Sequence, residues 1–271
     1  MILWLILLIL LALLAFLTRP SMRYRKTHRW RGQRFAHRGL HDRARGIVEN
    51  TLPAFEAARD HGWGIELDIQ FSKDMQVVVF HDDDLQRLCG DPRKVCQLTL
   101  AELQALPLEG TQARIPTLRA VLDAVDGRVP LLIELKNGAN NRRLCEALME
   151  LLEGYAGEYI VESFNPLIVR WFRKNRPDIV RGQLVGAMQS YIPDVDPVSG
   201  FFMAGLLLNF LSRPDFVAYD ANAPRFFSPH FQRLLFHTPM AAWTVRDRAL
   251  AALVLHRHEM CIFEGEGSGE E

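Results

Sequence analysis

The sequence is short of cysteine and has no excess of charge of either sign. Its four cysteines, Cys89, Cys96, Cys145 and Cys261, are scattered through 271 residues, and no two of them have Cys-x-x-Cys spacing. Neither a disulfide framework nor a zinc site is therefore indicated, and reduced or buried thiols suit a cytoplasmic domain. Lysine plus arginine and aspartate plus glutamate both total 32, so the formal net charge is zero, and we expect no nucleic-acid partner.

Acidic residues are absent before Asp42. Residues 1–17 are all apolar, and they are followed by a cluster of basic residues: Arg19, Arg23, Arg25, Lys26, Arg29, Arg31 and Arg34. An apolar run of this length is at the short end for a membrane span, which needs about 20 residues, and flanking positive charge stays on the cytoplasmic side. The sequence therefore predicts a transmembrane anchor over 1–18, a basic juxtamembrane linker over 19–32, and a single-pass protein whose folded domain faces the cytoplasm.

Two other interpretations of this N-terminal segment remain open. A cleaved signal peptide with a secreted enzyme would place positive charge before the apolar run and a small-residue cleavage site after it. Here the charge follows the run, and Thr18-Arg19-Pro20 is a poor cleavage site. The basic cluster could bind nucleic acid, but beside a membrane span anionic lipid headgroups are the more natural partner.

The most informative stretch runs from residue 35 to residue 82. Three apolar segments in it carry or end in polar residues: His37 and Arg38, then Glu66 and Asp68, then His81 and Asp82. Residues two apart on a strand share a face, so Glu66 and Asp68 point the same way. Two carboxylates on one face of an apolar strand are costly unless a cation lies between them. A divalent metal is the simplest candidate.

The alternation of strand and helix patterns predicts the fold. Eight strands are expected near residues 35, 65, 131, 159, 180, 216, 241 and 260, with helical segments between most of them. This pattern predicts a (β/α)8 TIM barrel over 33–264. The separation between Ile69 and Val77 is too short for a crossover between parallel strands, so 70–80 should form a small hairpin inserted after strand 2. If Ser72 pairs with Val77 across a four-residue loop, Asp68 lies opposite His81; a different loop length moves this register by one residue.

Two further segments are marked by composition. Residues 201–211 are apolar nearly all round. A buried barrel helix would explain them, and so would a helix that lies against the bilayer beside the mouth of the site. Residues 265–271 are acidic and glycine-rich, and we expect a flexible tail there.

In TIM barrels the chemistry lies at the C-terminal ends of the strands, and seven polar residues are expected to converge there: His37, Arg38, Glu66, Asp68, His81, Glu134 and Lys136. Three carboxylates can hold one Mg²⁺ or Ca²⁺, and a metal with Arg38 and Lys136 forms a positive pocket that suits a phosphate. Two histidines supply a base for the attacking oxygen and an acid for the leaving one. In isolation Glu134 and Lys136 would be an ordinary salt bridge. Together these residues predict metal-assisted cleavage of a phosphodiester.

Two other residues are candidates for substrate contacts. Asn50 either binds at the site or fastens the loop before its helix. Trp243 either belongs to the core or forms an aromatic wall for the substrate's glycerol.

The residues named above resemble the glycerophosphodiester phosphodiesterases, which are related to the phosphatidylinositol-specific phospholipase C barrel. Seven ordered motifs carry the resemblance over about residues 33–264: His37-Arg38-Gly39, Glu49-Asn50-Thr51, Glu66-x-Asp68, Val78-Val79-Phe80-His81-Asp82, Leu85-x-Arg87, Ile133-Glu134-Leu135-Lys136 and Trp243-Thr244-Val245. Any one motif alone would be a weak signal, whereas seven in order are specific.

The resemblance implies a TIM barrel with Ca²⁺ or Mg²⁺ held by Glu66, Asp68 and Glu134. It further implies that His37 and His81 are the acid/base pair and that Arg38 and Lys136 contact the phosphate. The products it implies are glycerol 3-phosphate and an alcohol, which places the reaction in lipid and glycerol metabolism. The chain departs from the family pattern in two places: Leu88-Cys89-Gly90 replaces a Thr-Thr-Gly-like stretch, and the last strand ends in Phe263-Glu264-Gly265 instead of Thr-Asp. The second departure affects the distal wall and so the alcohol specificity.

Two other hypotheses stay open. A lysophospholipase D or a phospholipase C-like lipid phosphodiesterase could use the same barrel, and release of a cyclic phosphate would indicate a lyase. A non-catalytic, membrane-anchored binding module is a hypothesis of a different class, and the intact histidines and carboxylates weigh against it. The expected partners are a small glycerophosphodiester or lysophospholipid and, through the N-terminal helix, the membrane; no obligate protein partner is evident.

Overall fold

The computed structural model describes residues 1–187, 195–222 and 227–268. The strands within these ranges are β1 Arg34–Ala36, β2 Gly64–Phe71, β3 Val77–Val79, β4 Asp84–Leu85, β5 Asp91–Lys94, β6 Leu131–Leu135, β7 Tyr159–Ser163, β8 Arg181–Val185, β9 Phe216–Asp220, β10 Met240–Val245 and β11 Met260–Phe263. Eight of them pair in parallel in the order β1-β11-β10-β9-β8-β7-β6-β2, and β1 also pairs with β2, which closes the ring. All eight predicted strands are present, and the predicted TIM barrel is confirmed.

The α-helices of the same ranges are α1 Ile2–Thr18, α2 Tyr24–Thr27, α3 Leu52–Asp60, α4 Gln86–Cys89, α5 Leu100–Ala105, α6 Leu118–Val125, α7 Asn141–Leu151, α8 Pro166–Asn175, α9 Pro197–Ala204, α10 Asn209–Ser212, α11 Phe227–Phe236 and α12 Arg248–His256. Several begin where a side chain accepts a hydrogen bond from the first turn. Thr117 accepts from the amide of Ala120, and Asn165 accepts from the amide of Leu167. Such caps satisfy backbone donors that the helix itself leaves free.

The predicted hairpin follows β2, but its register differs by one residue from the prediction. Phe71 pairs with Val77, so the amide of Phe80 donates to the carbonyl of Asp68 at 3.0 Å. Ser72 belongs to the turn instead of the ladder, because its amide bonds to the carbonyl of Gln76 and its hydroxyl accepts from the amide of Gln76. The pairing of Ser72 with Val77 does not form, so the register is moved by one residue, as expected for a different loop length: Asp68 faces Phe80, and His81 follows one position beyond it.

The connection from β3 to β6 builds a small second core above one edge of the barrel. Strands β4 and β5 form a two-stranded antiparallel sheet, and apolar side chains from the connection pack together with Val78 and Phe80 of the hairpin. This packing fixes α4, which carries Arg87 towards the barrel mouth.

The N-terminal segment forms helix α1, whose 17 residues measure about 25 Å at the usual helical rise. Its side chains over residues 2–13 are exposed. Across the described residues, no helix is long and apolar enough to cross a membrane. The structure therefore does not support the predicted transmembrane anchor over 1–18 or the single-pass topology that depends on it.

The apolar segment 201–211 is not one helix. Helix α9 ends at Ala204 and α10 begins at Asn209, and between them Leu206 has a positive φ of 55°. Leu206 and Leu207 are buried, whereas Phe201 and Phe202 are 48% and 38% exposed. Simple burial, one of the two predicted explanations, therefore holds for the middle of the segment only.

The predicted tail 265–271 begins with a 3-10 turn over Gly265–Ser268, in which Ser268 is buried. Residues 269–271 lie outside the described ranges.

The segment after α1 is fastened to the bottom of the barrel by one buried carboxylate. Asp215, immediately before β9, pairs with Arg181 and with Arg23, each at 3.2 Å, and also accepts a hydrogen bond from the Ser21 hydroxyl. The Arg181 and Asp215 side chains are 2% and 0% exposed. The carbonyl of Thr18 accepts from Gln232 at 2.7 Å.

We expect Asp215→Ala to lower the free energy of unfolding by about 3 kcal/mol, because it leaves the buried guanidinium of Arg181 without its counter-charge. Urea denaturation measures the change. Asp178→Ala is the matched control, since Asp178 pairs with Arg176 at the surface with 60% of its side chain exposed, and its midpoint should match that of the wild type. Equal midpoints for all three proteins would contradict the assignment.

Candidate active site

Three buried carboxylates form a cluster at the C-terminal end of the barrel. Glu66 and Asp68 lie on β2, and Glu134 on β6 stands directly opposite Asp68 in the parallel ladder. They are 2%, 1% and 7% exposed, and each offers one oxygen within 4.8 Å of those of the other two. The strand pattern with acids at positions i and i+2 therefore brings its carboxylates together with Glu134, and the group could hold a metal ion.

Each carboxylate of the cluster is held by a donor. The backbone amide of Arg38 donates to Oε2 of Glu66 at 2.8 Å, and Nδ2 of Asn50 donates to Oδ2 of Asp68 at 2.9 Å. Nζ of Lys136 lies 2.9 Å from Oε1 of Glu134 and 3.5 Å from Oδ1 of Asp68. Asn50 and Lys136 thus lie against the carboxylates and are not among the residues that line the cavity.

The ionisation of the cluster is uneven. Burial, followed by the charges of Asp68 and Glu134, raises the pKa of Glu66 well above its usual range, and burial also raises the pKa of Glu134. Burial acts in the same direction on Asp68, but the charges of His81, Lys136 and Arg38 outweigh it and hold the pKa of Asp68 below its usual range. The pKa of Lys136 is raised, because its two carboxylate partners outweigh the effect of burial. Additional positive charge in the cluster would therefore be favourable.

His37 follows β1 and is held from behind by a carboxylate. Its Nδ1 lies 2.5 Å from Oε1 of Glu264, and its Nε2 lies 3.9 Å from Oε2 of Glu66. Burial lowers the pKa of the His37 imidazole. Glu264 also pairs with Arg246 at 2.7 Å. Sequence reasoning noted Glu264 only as a departure from the family pattern and assigned it no role.

His81 follows the hairpin and is held in the same manner. Its Nδ1 lies 2.6 Å from Oδ1 of Asp82, and Asp82 pairs with Arg87 at 2.7 Å. Arg87 in turn pairs with Glu49, whose second partner is Nη1 of Arg38 at 2.7 Å. Burial opposes ionisation of Glu49, but hydrogen bonds from Arg87 and Arg38 lower its pKa to about 2. A continuous chain of charge pairs therefore orients His81 and Arg38 together.

The loop after β1 adopts backbone conformations that bring the amide of Arg38 to Glu66. Arg38 and Gly39 have φ values of 55° and 80°. A Cβ atom at Gly39 would lie 2.8 Å from the carbonyl carbon of Ala54, so only glycine fits against α3. Asn50 also has a positive φ of 55°, and such strained residues often mark functional sites.

A cavity of about 470 Å³ opens over the cluster. Its lining includes both histidines, Arg38, Glu66 and Glu134, together with the apolar and aromatic side chains of Phe164, Leu184, Trp243 and Ile262. Trp243 packs edge to face against Phe164 with ring centroids 5.7 Å apart. Of the predicted site residues, His37, Arg38, Glu66, His81, Glu134 and Trp243 line the cavity, and Asp68 lies beneath it.

Glu162 is a fourth buried acid at the cavity that sequence reasoning did not assign to the site. It lies on β7 opposite Glu134, is 2% exposed and lines the cavity. Burial, followed by the charges of Glu134 and Asp68, raises its pKa well above the usual range. A signal was present, because Glu162 interrupts an apolar strand as Glu134 does.

The fold is a TIM barrel, and its catalytic end carries a buried carboxylate cluster and two histidines that carboxylates hold. This combination defines a class of TIM-barrel enzymes that suits metal-assisted chemistry on an anionic substrate. The sequence pattern of the Glycerophosphoryl diester phosphodiesterase family matches residues 37–263. The chain belongs to this family.

Several curated relatives share part of the chain. The Bacillus subtilis protein YhdW is 38% identical over 153 residues, which are 53% of this chain and 62% of YhdW. Lysophospholipase D GDPD1 of Homo sapiens is 31% identical over 198 residues, 68% of this chain and 59% of that protein. The match thus spans less than two thirds of the length of these relatives.

Solved structures share the fold. A phosphodiesterase from Oleispira antarctica, solved in complex with the product sn-glycerol-3-phosphate, superposes with a TM-score of 0.72 at 23% identity over 90% of this chain and 97% of that one. A glycerophosphodiester phosphodiesterase from Thermotoga maritima has a TM-score of 0.64 at 25% identity and covers 86% of this chain and 94% of its own.

Replacing Glu66 by glutamine should stabilise the metal-free protein and abolish its stabilisation by a divalent cation. The pKa of Glu66 is raised in the folded state. Its contribution to the free energy of unfolding is therefore fully present below the unfolded pKa of about 4.5 and is lost as the pH rises through the folded pKa, because the buried carboxyl group must then ionise. Glutamine cannot ionise and does not lose this contribution. In EDTA, the melting temperature of Glu66→Gln should therefore exceed that of the wild type by an amount that grows as the pH rises above the unfolded pKa.

Differential scanning calorimetry with and without millimolar Ca²⁺ or Mg²⁺ measures both effects. Glu56→Gln, at an exposed position of α3, should behave as the wild type does. A cation-induced rise in melting temperature that is equal in Glu66→Gln and the wild type would argue against a metal at this cluster.

Proposed function

We propose that the chain is a phosphodiesterase that uses a divalent metal to hydrolyse glycerophosphodiesters to glycerol 3-phosphate and an alcohol, and that residues 33–264 carry this activity. The observation that carries the proposal is the pairing of two histidines, each held at Nδ1 by a carboxylate, with the three-carboxylate cluster in one cavity. Family membership supports the choice of a glycerophosphodiester as the substrate.

Glu66, Asp68 and Glu134 are the residues that would hold the cation. Their chemistry fits a hard ion such as Ca²⁺ or Mg²⁺, because all three donors are carboxylate oxygens and their mutual repulsion is only partly offset by Lys136 and Arg38. When bound, such an ion would supply positive charge that neutralises a phosphate oxygen.

The protein's own groups would move the protons. A carboxylate at Nδ1 favours a proton on that nitrogen and leaves Nε2 as the reactive atom. His37 and His81 would act as the base for the attacking water and the acid for the leaving alcohol. Arg38 would contact the phosphate. Lys136 would balance the charge of Glu134 beneath it, and Asn50 would orient Asp68 through a hydrogen bond.

A lysophospholipid is the second candidate substrate. Its support comes from two observations: several relatives bear the name lysophospholipase D GDPD1, and the cavity lining includes the apolar and aromatic residues Phe164, Leu184, Trp243 and Ile262. A monoacyl chain attached to the glycerol could pack against these side chains.

We expect the full-length protein to release glycerol 3-phosphate from glycerophosphocholine, and we expect EDTA to abolish the release. A panel of glycerophosphocholine, -ethanolamine, -glycerol, -inositol and lysophosphatidylcholine, each with Ca²⁺ or Mg²⁺ restored, measures headgroup and metal preference. Lysophosphatidic acid as the main product would favour the second substrate, and a cyclic phosphate as the end product would favour a lyase. Full activity in excess chelator would contradict the metal proposal.

His81→Ala and His37→Ala should each lower kcat by about 10²- to 10⁴-fold, because each removes a general acid or base. His61→Ala is the matched control, since His61 lies at the exposed end of α3 and its loss should leave kcat unchanged. Steady-state kinetics on glycerophosphocholine decides. Wild-type turnover by the His81→Ala protein would contradict the role of His81 as a general acid or base.

A further inference from the structure

Glu162 has a carboxyl oxygen that no group of the described structure satisfies. The side chain is 2% exposed and lines the cavity, yet its Oε2 has no hydrogen-bond partner within residues 1–187, 195–222 and 227–268. A buried polar atom without a partner costs roughly 1–3 kcal/mol. At a cavity wall, a molecule bound in the cavity can supply the missing partner.

The metal is not the natural partner of Glu162. Only Glu66, Asp68 and Glu134 among the described residues offer ligand atoms that all lie within 4.8 Å of one another, and Glu162 is outside this set. Each member of the set is held by a protein donor, whereas Oε2 of Glu162 is not. Glu162 therefore differs from the cluster in both position and hydrogen bonding.

Another cavity-lining residue also has a buried polar atom without a hydrogen-bond partner. Nε1 of Trp243 is buried and has no acceptor in the part of the chain that the structure describes. Besides Nε of Arg38 and Nε2 of His41, the cavity residues therefore include an unsatisfied carboxyl oxygen and an unsatisfied indole N–H group. Phe164 and Leu184 also line the cavity. An alcohol group both donates and accepts, so it can pair with a carboxyl group in either protonation state and with an indole N–H. A quaternary ammonium would satisfy neither atom by hydrogen bonding.

We propose that Glu162 is a specificity-determining residue that hydrogen-bonds a hydroxyl of the substrate's glycerol moiety, with Trp243 Nε1 donating to the neighbouring hydroxyl. This inference rests on the proposed function, because it takes a glycerol phosphate as the group in the cavity. A site built to pair with hydroxyls discriminates against an analogue that lacks them, since the buried polar atoms are then left unpaired.

The test is calorimetric titration of the Ca²⁺-loaded full chain with sn-glycerol 3-phosphate and with propyl phosphate, which has the same phosphate and chain length but no hydroxyl. The wild type should bind glycerol 3-phosphate at least about tenfold more tightly. Glu162→Leu should bind both ligands with similar affinity, near that of the wild type for propyl phosphate. Glu162→Gln, which keeps a hydrogen-bonding side chain of the same shape, should retain most of the preference.

Glu158→Gln is the matched control. Glu158 lies immediately before the first residue of β7, and 56% of its side chain is exposed, so this variant should behave as the wild type does. An unchanged preference in Glu162→Leu would overturn the inference. So would an equal loss of affinity for both ligands together with weakened Ca²⁺ binding, because Glu162 would then act on the metal. Turnover of glycerophosphocholine, measured in parallel, separates this inference from the proposed function. If the wild type binds glycerol 3-phosphate in preference to propyl phosphate but does not turn over glycerophosphocholine, only the proposed function is contradicted.

Discussion

The mutual repulsion of three buried carboxylates is the constraint on which the active site depends. Glu66, Asp68 and Glu134 lie on neighbouring strands of the barrel, where side-chain positions are fixed by the ladder and cannot move apart. Three neighbouring groups stabilise these carboxylates: the ammonium group of Lys136, the side-chain amide of Asn50 and the backbone amide of Arg38. The loop after β1, in which Arg38 and Gly39 have positive φ values, presents the Arg38 amide to Glu66.

Charge compensation also links the metal cluster to the acid/base groups. His37 stands between Glu66 and Glu264, and His81 belongs to a chain of ion pairs that returns through Arg87 and Glu49 to Arg38. Removal of one charged side chain should therefore change the pKa of several neighbouring groups, as is usual for coupled buried sites. Phe164, Leu184, Trp243 and Ile262, which also line the cavity, carry none of this charge.

The barrel and its cluster could be predicted from the sequence because both follow from local patterns. The acids at 66 and 68 share a strand face by periodicity alone, and the ends of parallel strands meet at one rim. Glu264 could not be assigned a role in this way, because its contact with His37 joins residues 227 positions apart. The hairpin register depended on hydrogen bonds of the Ser72 hydroxyl that no pattern reveals. The N-terminal run was predicted to span a membrane from its apolar composition, but composition does not set the length of the helix that forms.

The most direct test of the account is anomalous scattering from crystals of the wild type soaked in Mn²⁺, a cation that prefers carboxylate and water ligands as Mg²⁺ and Ca²⁺ do. The account predicts one strong anomalous peak among the side-chain oxygens of Glu66, Asp68 and Glu134. No peak at this position at millimolar Mn²⁺, or a peak elsewhere in the barrel, would contradict the claim that this cluster is the metal site.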